Sequence, residues 1–282
     1  MNYKNFLEKK TIVSKDTGFT VNRKDLNNNL FEYQKDIVIW ALKKGKSAIF
    51  ADCGLGKSLM QLEWAEKVHE ETNGSILILA PLAVTEQTYR EGIKFGINSK
   101  VVECQEDVIN GINITNYEKL DKFDTSVFNR IILDESTILK SFTGKVRNQI
   151  IDNFKNTPYK LACTATPAPN DYMELGNHSE FLGVMTRSEM LAMYFVHDGG
   201  NTSKWRLKGH ATDVFWQWMS SWAVVITNPR DLDYEVEGYD LPKLNIHEII
   251  VDGDKPIVET LTLTQRRQAR KESIGLRCST AA

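Results

Sequence analysis

Apolar residues along this chain follow two patterns. Short unbroken runs occur in "SAIFA" (47–51), "SILILA" (75–80), "RIILDE" (130–135) and "YKLACTAT" (159–166). Between them, apolar residues recur at helical spacing in "LFEYQKDIVIWALKKG" (30–45), "LMQLEWAEKVHEET" (59–72) and "VTEQTYREGIKF" (84–95). "KVVEC" (100–104) and "GINIT" (111–115) read as two further strands. Strands without polar alternation, separated by helices, predict a parallel sheet covered on both faces, in an α/β fold. Gly45 is a C-cap candidate for the first helix, and Asn73-Gly74 ends the second.

The pattern divides the chain into four parts. Residues 1–28 are a polar lead-in, rich in Asn and Lys. Residues 29–185 carry the alternation. Residues 186–245 form an extension expected to pack on it. There "HDGGNTSKWRLKGH" (197–210) reads as a basic loop, "ATDVFWQWMSSWAVVI" (211–226) as a Trp-rich helix and "NPRDLDYEVEGYDLPKL" (228–244) as turns. Residues 246–282 continue a strand, "NIHEIIV" (245–251), into a basic helical stretch with Arg266, Arg267, Arg270, Lys271 and Arg277.

Composition adds little to this picture. The 282 residues are 41% hydrophobic and 26% charged, with a formal net charge of −2, which is an ordinary soluble globular balance. That charge does not advertise a nucleic-acid partner, although a basic groove can be balanced by acids elsewhere. The four cysteines have no C-x-x-C pair, which reads as a reducing compartment without a zinc ribbon. Neither a signal-peptide pattern nor an apolar run long enough for a bilayer is visible, so a cytoplasmic setting without membrane is expected. The five histidines lack paired ligand spacing.

Three stretches carry candidate chemistry. "ADCGLGKS" (51–58) fits a phosphate loop except that Ala51 stands where the general pattern has glycine. Small residues let consecutive N–H groups turn around phosphate oxygens, Lys57 adds a point charge, and the Ser58 hydroxyl can reach Mg²⁺. Gly54 and Gly56 lie where the backbone must approach phosphate. "IILDEST" (131–137) ends a strand in Asp134 and Glu135 at the sheet edge where ligands of open parallel sheets bind. Asp134 can hold Mg²⁺ through water with Ser58, and Glu135 can polarise a water toward the γ-phosphate. The alternative is two solvated acids opening a loop. "LACTATPAPND" (161–171) releases Thr164, Ala165 and Thr166 at the same edge, where they could relay nucleotide state. A Pro-terminated strand with capping hydroxyls is the plainer reading.

In this order the stretches resemble the first RecA-like domain of a superfamily 2 helicase or translocase. "ADCGLGKS" is similar to the A-x-x-G-x-G-K-[ST] form of motif I, in which Ala51 is usual. "DEST" resembles the DExx box, as in DEAD/DEAH proteins, and "TATP" resembles motif III. "LFEYQ" resembles the Q-type element, which implies that Gln34 reads adenine. "LAPLAVTEQTYRE" (79–91) and "ITNYEKL" (114–120) resemble motifs Ia and Ib of the Swi/Snf-related branch, and imply Pro81, Thr115 and Asn116 along a nucleic-acid backbone. The stretches 167–183 and 204–211 look like phage-encoded members, which would place the protein in a host cytoplasm.

The resemblance, covering about residues 28–275, implies a Mg²⁺-ATP hydrolase acting on DNA. Lys57, Asp134 and Glu135 would be catalytic. Gln34, Gly54, Leu55, Gly56, Lys57, Ser58 and Leu59 would bind ATP, with Ser58 and Asp134 on Mg²⁺. Family members carry a second RecA-like lobe with a completing arginine. The expectation is that this chain lacks that lobe, meets it in a continuation or a separate chain, and hydrolyses ATP weakly alone. From the residues themselves, Trp205 and Arg206 suit a nucleic acid, against a solvated loop with one buried aromatic. Phe215, Trp218, Met219 and Trp222 read as core. Two rivals are an ATP-gated DNA- or protein-binding module and a small-molecule phosphotransferase.

Overall fold

Neighbouring residues of each central strand face opposite cores, so each strand must be apolar throughout. The computed structural model describes residues 13–141, 143–198, 201–239, 245–246 and 262–281. In chain order its strands are β1 (Lys46–Ala51), β2 (Ile76–Ala80), β3 (Ser99–Val101), β4 (Ile112–Asn116), β5 (Arg130–Asp134), β6 (Tyr159–Thr164), β7 (Phe195–Asp198), β8 (Asn201–Leu207) and β9 (Ala223–Ile226). Seven of them form one sheet in the order β3-β4-β2-β5-β6-β1-β9, and every pair in it is parallel. The remaining two, β7 and β8, make an antiparallel hairpin.

Helices α1 (Glu32–Lys44), α2 (Lys57–Thr72) and α3 (Leu82–Phe95) follow the first part of the chain. Ile49 and Ala51 of β1 share a core with Tyr33 and Val38 of α1 and with Leu59 and Trp64 of α2. The intervening Ala48 and Phe50 face the other core. That core is built with α4 (Lys145–Asn153), α5 (Leu175–Leu182), α6 (Arg187–Tyr194) and α7 (Thr212–Ser220), through Ile150, Phe181, Tyr194, Phe215 and Trp218. The parallel sheet covered on both faces is therefore as the apolar runs predict.

The Trp-rich segment departs from its helical reading. Helix α7 stops at Ser220, and the remaining "WAVVI" supplies β9, which pairs with β1 from Ala48↔Ala223 to Ala51↔Ile226. β-branched Val224, Val225 and Ile226 favour a pleated surface over a helix. Phe215, Trp218, Met219 and Trp222 are buried, as expected. Within the basic stretch read as a loop, Asn201–Leu207 form strand β8 of the hairpin. Trp205 and Leu207 turn toward the core while Arg206 is exposed, so strand alternation operates within a polar composition. Of the strand read at 245–251, residues 247–251 lie outside the described residues. The chain beyond Tyr239 forms a second unit, in which α8 (Leu263–Glu272) and α9 (Ile274–Ala281) are helical, as read.

One buried cation has a measurable consequence. Lys160 of β6 is 1% exposed, and its Nζ donates to Phe181 O at 2.7 Å and to Lys155 O at 3.3 Å. Burial, with Lys46 nearby, pulls its pKa from an ordinary 10.5 to about 7, and the two carbonyls oppose that pull. The unfolded chain keeps this proton up to pH 10.5 while the folded chain releases it near 7, so the unfolded state binds more protons between those values. Stability should therefore rise with pH across that window, by at most about 5 kcal/mol. Lys160→Met should flatten the rise in a series of denaturant melts from pH 6.5 to 10; an unchanged slope would refute the assignment.

Candidate nucleotide site

The loop between β1 and α2 owes its path to two glycines. Gly54 and Gly56 have φ values of +83° and +77°. At Gly56 the positive φ calls for glycine, and a Cβ there would also displace the Gln34 amide, whose Nε2 it would meet at 2.3 Å. Lys57 folds back over the loop, donating from Nζ to Ala51 O at 2.9 Å and to Asp52 O at 3.2 Å. No side chain caps α2, so the first N–H groups of the helix, at Lys57, Ser58 and Leu59, have no intrahelical acceptor. Together with the helix dipole they form a cradle that suits phosphate. The side chains of Leu55 and Leu59 are buried in the core, so only their backbones face this cradle.

Gln34 sits in the third position of α1. Its Oε1 accepts from Phe31 N at 2.9 Å, and its Nε2 donates to Leu55 O at 3.0 Å and to Tyr33 Oη at 3.3 Å. Tyr33 Oη donates to the same carbonyl at 3.1 Å. Gln34 therefore braces the phosphate loop, with both ends of its amide engaged.

The carboxylates arrive at the same rim. Asp134 on β5 is level with Cys163 on β6, which is level with Ile49 on β1. Two strand spacings separate them, about 10 Å. Asp134 is buried, which raises its pKa; nearby Glu135 raises it further, and the Lys57 charge works against both. The Gln61 amide lies within electrostatic reach of Asp134, outside hydrogen-bonding geometry. Asp134 Oδ1 accepts from Glu135 N at 3.0 Å, and Tyr117 Oη donates to Asp134 O at 2.7 Å. Glu135 itself is left-handed, with φ 50° and ψ 54°.

Hydroxyls join these acids to the end of β6. Thr164 Oγ1 donates to Glu135 Oε2 at 3.2 Å and meets Thr137 Oγ1 at 2.8 Å. Thr137 Oγ1 lies 3.1 Å from Thr166 Oγ1, and Thr166 N donates to Thr164 Oγ1 at 3.1 Å. Beyond Ala165 opens an apolar groove of about 490 Å³, walled by Pro167, Tyr172, Trp216 and Val225. Thr137 lies within "DEST", where spacing gives it no role; its place in this cluster depends on the adjacency of β5 and β6. Nothing in the sequence marks the left-handed turn at Glu135.

The donor set fits a nucleotide better than a free metal. Among the described residues, no three His, Cys, Asp or Glu side chains are grouped to hold a cation. Ser58 at the start of α2 and Asp134 at the end of β5 each carry an oxygen of the kind Mg²⁺ takes together with phosphates. Among the described residues no helix is long and apolar enough to cross a membrane.

The candidate nucleic-acid residues fall in two places. Pro81 precedes α3 at the end of β2, and Ala80 is level with Asn116 on β4, so Pro81, Thr115 and Asn116 share one rim. Thr115 is 1% exposed and Asn116 4%, and Thr115 Oγ1 and Asn116 Oδ1 are buried without a hydrogen-bond partner. They line a cavity of about 150 Å³ with Leu82, Thr85, Glu103 and Lys119. Trp205 and Arg206 stand apart on β8. There the Trp205 ring is half-buried, 3.8 Å from the His197 ring, and Arg206 is exposed.

Residues 24–169, just over half of the chain, match the family described as type III restriction enzyme, res subunit. A search of curated proteins finds no match. Two Sulfolobus solfataricus structures share the fold. The SWI2/SNF2 ATPase core in complex with dsDNA aligns with a TM-score of 0.61 and 21% identity, covering 74% of this chain and 47% of that one. The ATPase core domain alone gives 0.58 and 21%, covering 76% and 48%. This chain thus spans about half the length of those proteins. The UvsW helicase of bacteriophage T4 gives 0.47 and 19%, covering 66% of each.

Proposed function

We propose, from the premise that this chain belongs to the family of the type III restriction enzyme res subunit, that it is the ATP-binding lobe of a superfamily 2 DNA helicase or translocase. The observation that carries this reading is the convergence of three strand ends. The phosphate loop after β1, the Asp134-Glu135 pair after β5 and the Thr164–Thr166 turn after β6 occupy one rim, in strands that are direct neighbours in register. A kinase or other phosphotransferase would gain nothing from the hydroxyl cluster joining the second and third of these.

Each residue then has a task. The free amides at the start of α2 and the Lys57 ammonium bind the β- and γ-phosphates. Bound Mg²⁺ would neutralise charge on those oxygens, and Ser58 and Asp134 are the residues that would hold it. Glu135 orients a water, accepting its proton at Oε1 or Oε2. Thr164 senses that carboxylate directly, and Thr166 senses it through Thr137 and Thr164. Gln34 contributes by fixing the loop carbonyl of Leu55, and adenine recognition would require its amide to exchange partners. DNA is the partner by analogy with the Sulfolobus ATPase core, whose structure contains double-stranded DNA. It would run over the rim near Pro81, Thr115 and Asn116, with the β7–β8 hairpin, through Trp205 and Arg206, as a second contact. We assign residues 29–185 as the ATP-binding core, 186–245 as an extension of it and 246–282 as a linker toward a second lobe. A phage-type, Swi/Snf-related member acting in a host cytoplasm is the finer form of the same reading.

The test is ATP hydrolysis by the purified chain with Mg²⁺, alone and with duplex DNA, single-stranded DNA or a panel of small phosphate acceptors. Mg²⁺-dependent ATP binding with slow turnover, raised by DNA, is expected. Transfer of phosphate to a small acceptor, or no Mg²⁺-dependent ATP binding at all, would overturn the reading.

A further inference from the structure

Tyr117 follows Thr115 and Asn116 directly and reaches across the end of β2. Thr115 is level with Leu79 on β2, which is level with Leu133 on β5. The Tyr117 ring is buried in the sheet's core, and its hydroxyl ends 2.7 Å from the carbonyl oxygen of Asp134. That carbonyl belongs to the peptide plane entering Glu135. A flip of this plane would carry φ of Glu135 out of its left-handed value of 50°. A glutamate stays in that region only when its surroundings hold it there.

Three bonds do so. Glu135 N donates to Asp134 Oδ1 at 3.0 Å, Thr164 Oγ1 reaches Glu135 Oε2 at 3.2 Å, and Tyr117 Oη holds Asp134 O. The first comes from a side chain that the proposed site also asks to face a cation, and the second grips only the carboxylate tip. The tyrosine adds a hold on this peptide plane from the β4 side, opposite the β5–β6 ladder in which Asp134 pairs with Cys163.

We propose that Tyr117 is a positioning residue: its hydroxyl locks the Asp134 carbonyl, keeps Glu135 left-handed and so aims that carboxylate into the nucleotide cradle, tying it to the β4 end that bears Thr115 and Asn116. The proposal rests on the preceding reading of Glu135 as the group that orients water. It makes the cavity beside Thr115 and Asn116 a place where a bound strand would be felt at the carboxylate.

Tyr117→Phe keeps the ring and removes only the clamp. Backbone NMR of the full chain without nucleotide should show Glu135 losing its left-handed carbon shifts, with its amide exchanging at least tenfold faster. In a Glu135→Gly background, where the left-handed turn carries no strain, Tyr117→Phe should lower the denaturation midpoint by less than half as much as in the wild type. With Mg²⁺-ATP, kcat should fall at least tenfold while KM stays within twofold. Glu135 remaining left-handed in Tyr117→Phe, or equal midpoint losses in both backgrounds, overturns the proposal. The reading of Glu135 is judged separately: a Glu135→Gln chain with wild-type turnover would end it, while the two nucleotide-free measurements still decide whether Tyr117 holds the turn.

Discussion

Lys57→Ala is expected to cost the chain its ATP affinity while leaving it folded. The Lys57 ammonium already points over the loop, held by the carbonyls of Ala51 and Asp52, so its charge stands in the cradle before any ligand arrives. A charged hydrogen bond of this kind is worth about 1.5–3 kcal/mol, which corresponds to roughly 10- to 100-fold in the ATP dissociation constant. The loop itself should persist, because Gly54, Gly56 and the Gln34 brace define its path. Titration with a fluorescent ATP analogue, beside a thermal melt of the free protein, separates these outcomes. Undiminished affinity would remove the phosphate-loop assignment; lost affinity with a collapsed melt would show only that the lysine is structural.

Glu135→Gln should do the opposite, keeping ATP and losing turnover. The amide preserves the size of the side chain and an oxygen able to accept from Thr164, but it cannot take a proton. Loss of a positioned general base lowers rates by about 10²- to 10⁴-fold. Binding should change by no more than about threefold, because Lys57 and the amides of α2 are untouched and one negative charge near the phosphates is gone. Single-turnover hydrolysis over hours, paired with equilibrium ATP binding, reads both quantities. A variant that keeps its DNA or protein binding and loses nothing else would favour an ATP-gated binding module over an enzyme.

These two residues were legible because their spacing to other motif residues is local. "GLGKS" encodes its loop within five positions, and "DE" follows a strand that is apolar throughout. The parallel sheet was legible for a related reason, since a strand with two buried faces leaves no polar alternation. Other features depend on partners distant in sequence. The resemblance assigns Gln34 to adenine, but only with Leu55 in place does its amide find partners at both ends within the protein. The resemblance sets Thr115 and Asn116 along a nucleic-acid backbone. They are buried because the start of α3, the end of β3 and Lys119 wall them in. The run 211–226 misled because Phe215, Trp218 and Met219 keep helical spacing right up to the point where the strand begins. The β-branched run Val224, Val225 and Ile226 is the local signal that a strand begins, and the open edge of β1 gives it a partner.

That edge limits where the domain can be cut. Ala48 N donates to Trp222 O and Asp52 N to Ile226 O, so β1 depends for one whole side on residues that follow it by more than 170 positions. A piece trimmed to the stretch shared with the family would leave the strand that launches the phosphate loop with raw amides and carbonyls bared to solvent, beside the vacated bed of two large indoles. Such a fragment would be sticky before it was inactive. The minimal autonomous module therefore reaches past Ile226, well beyond the last of its signature residues.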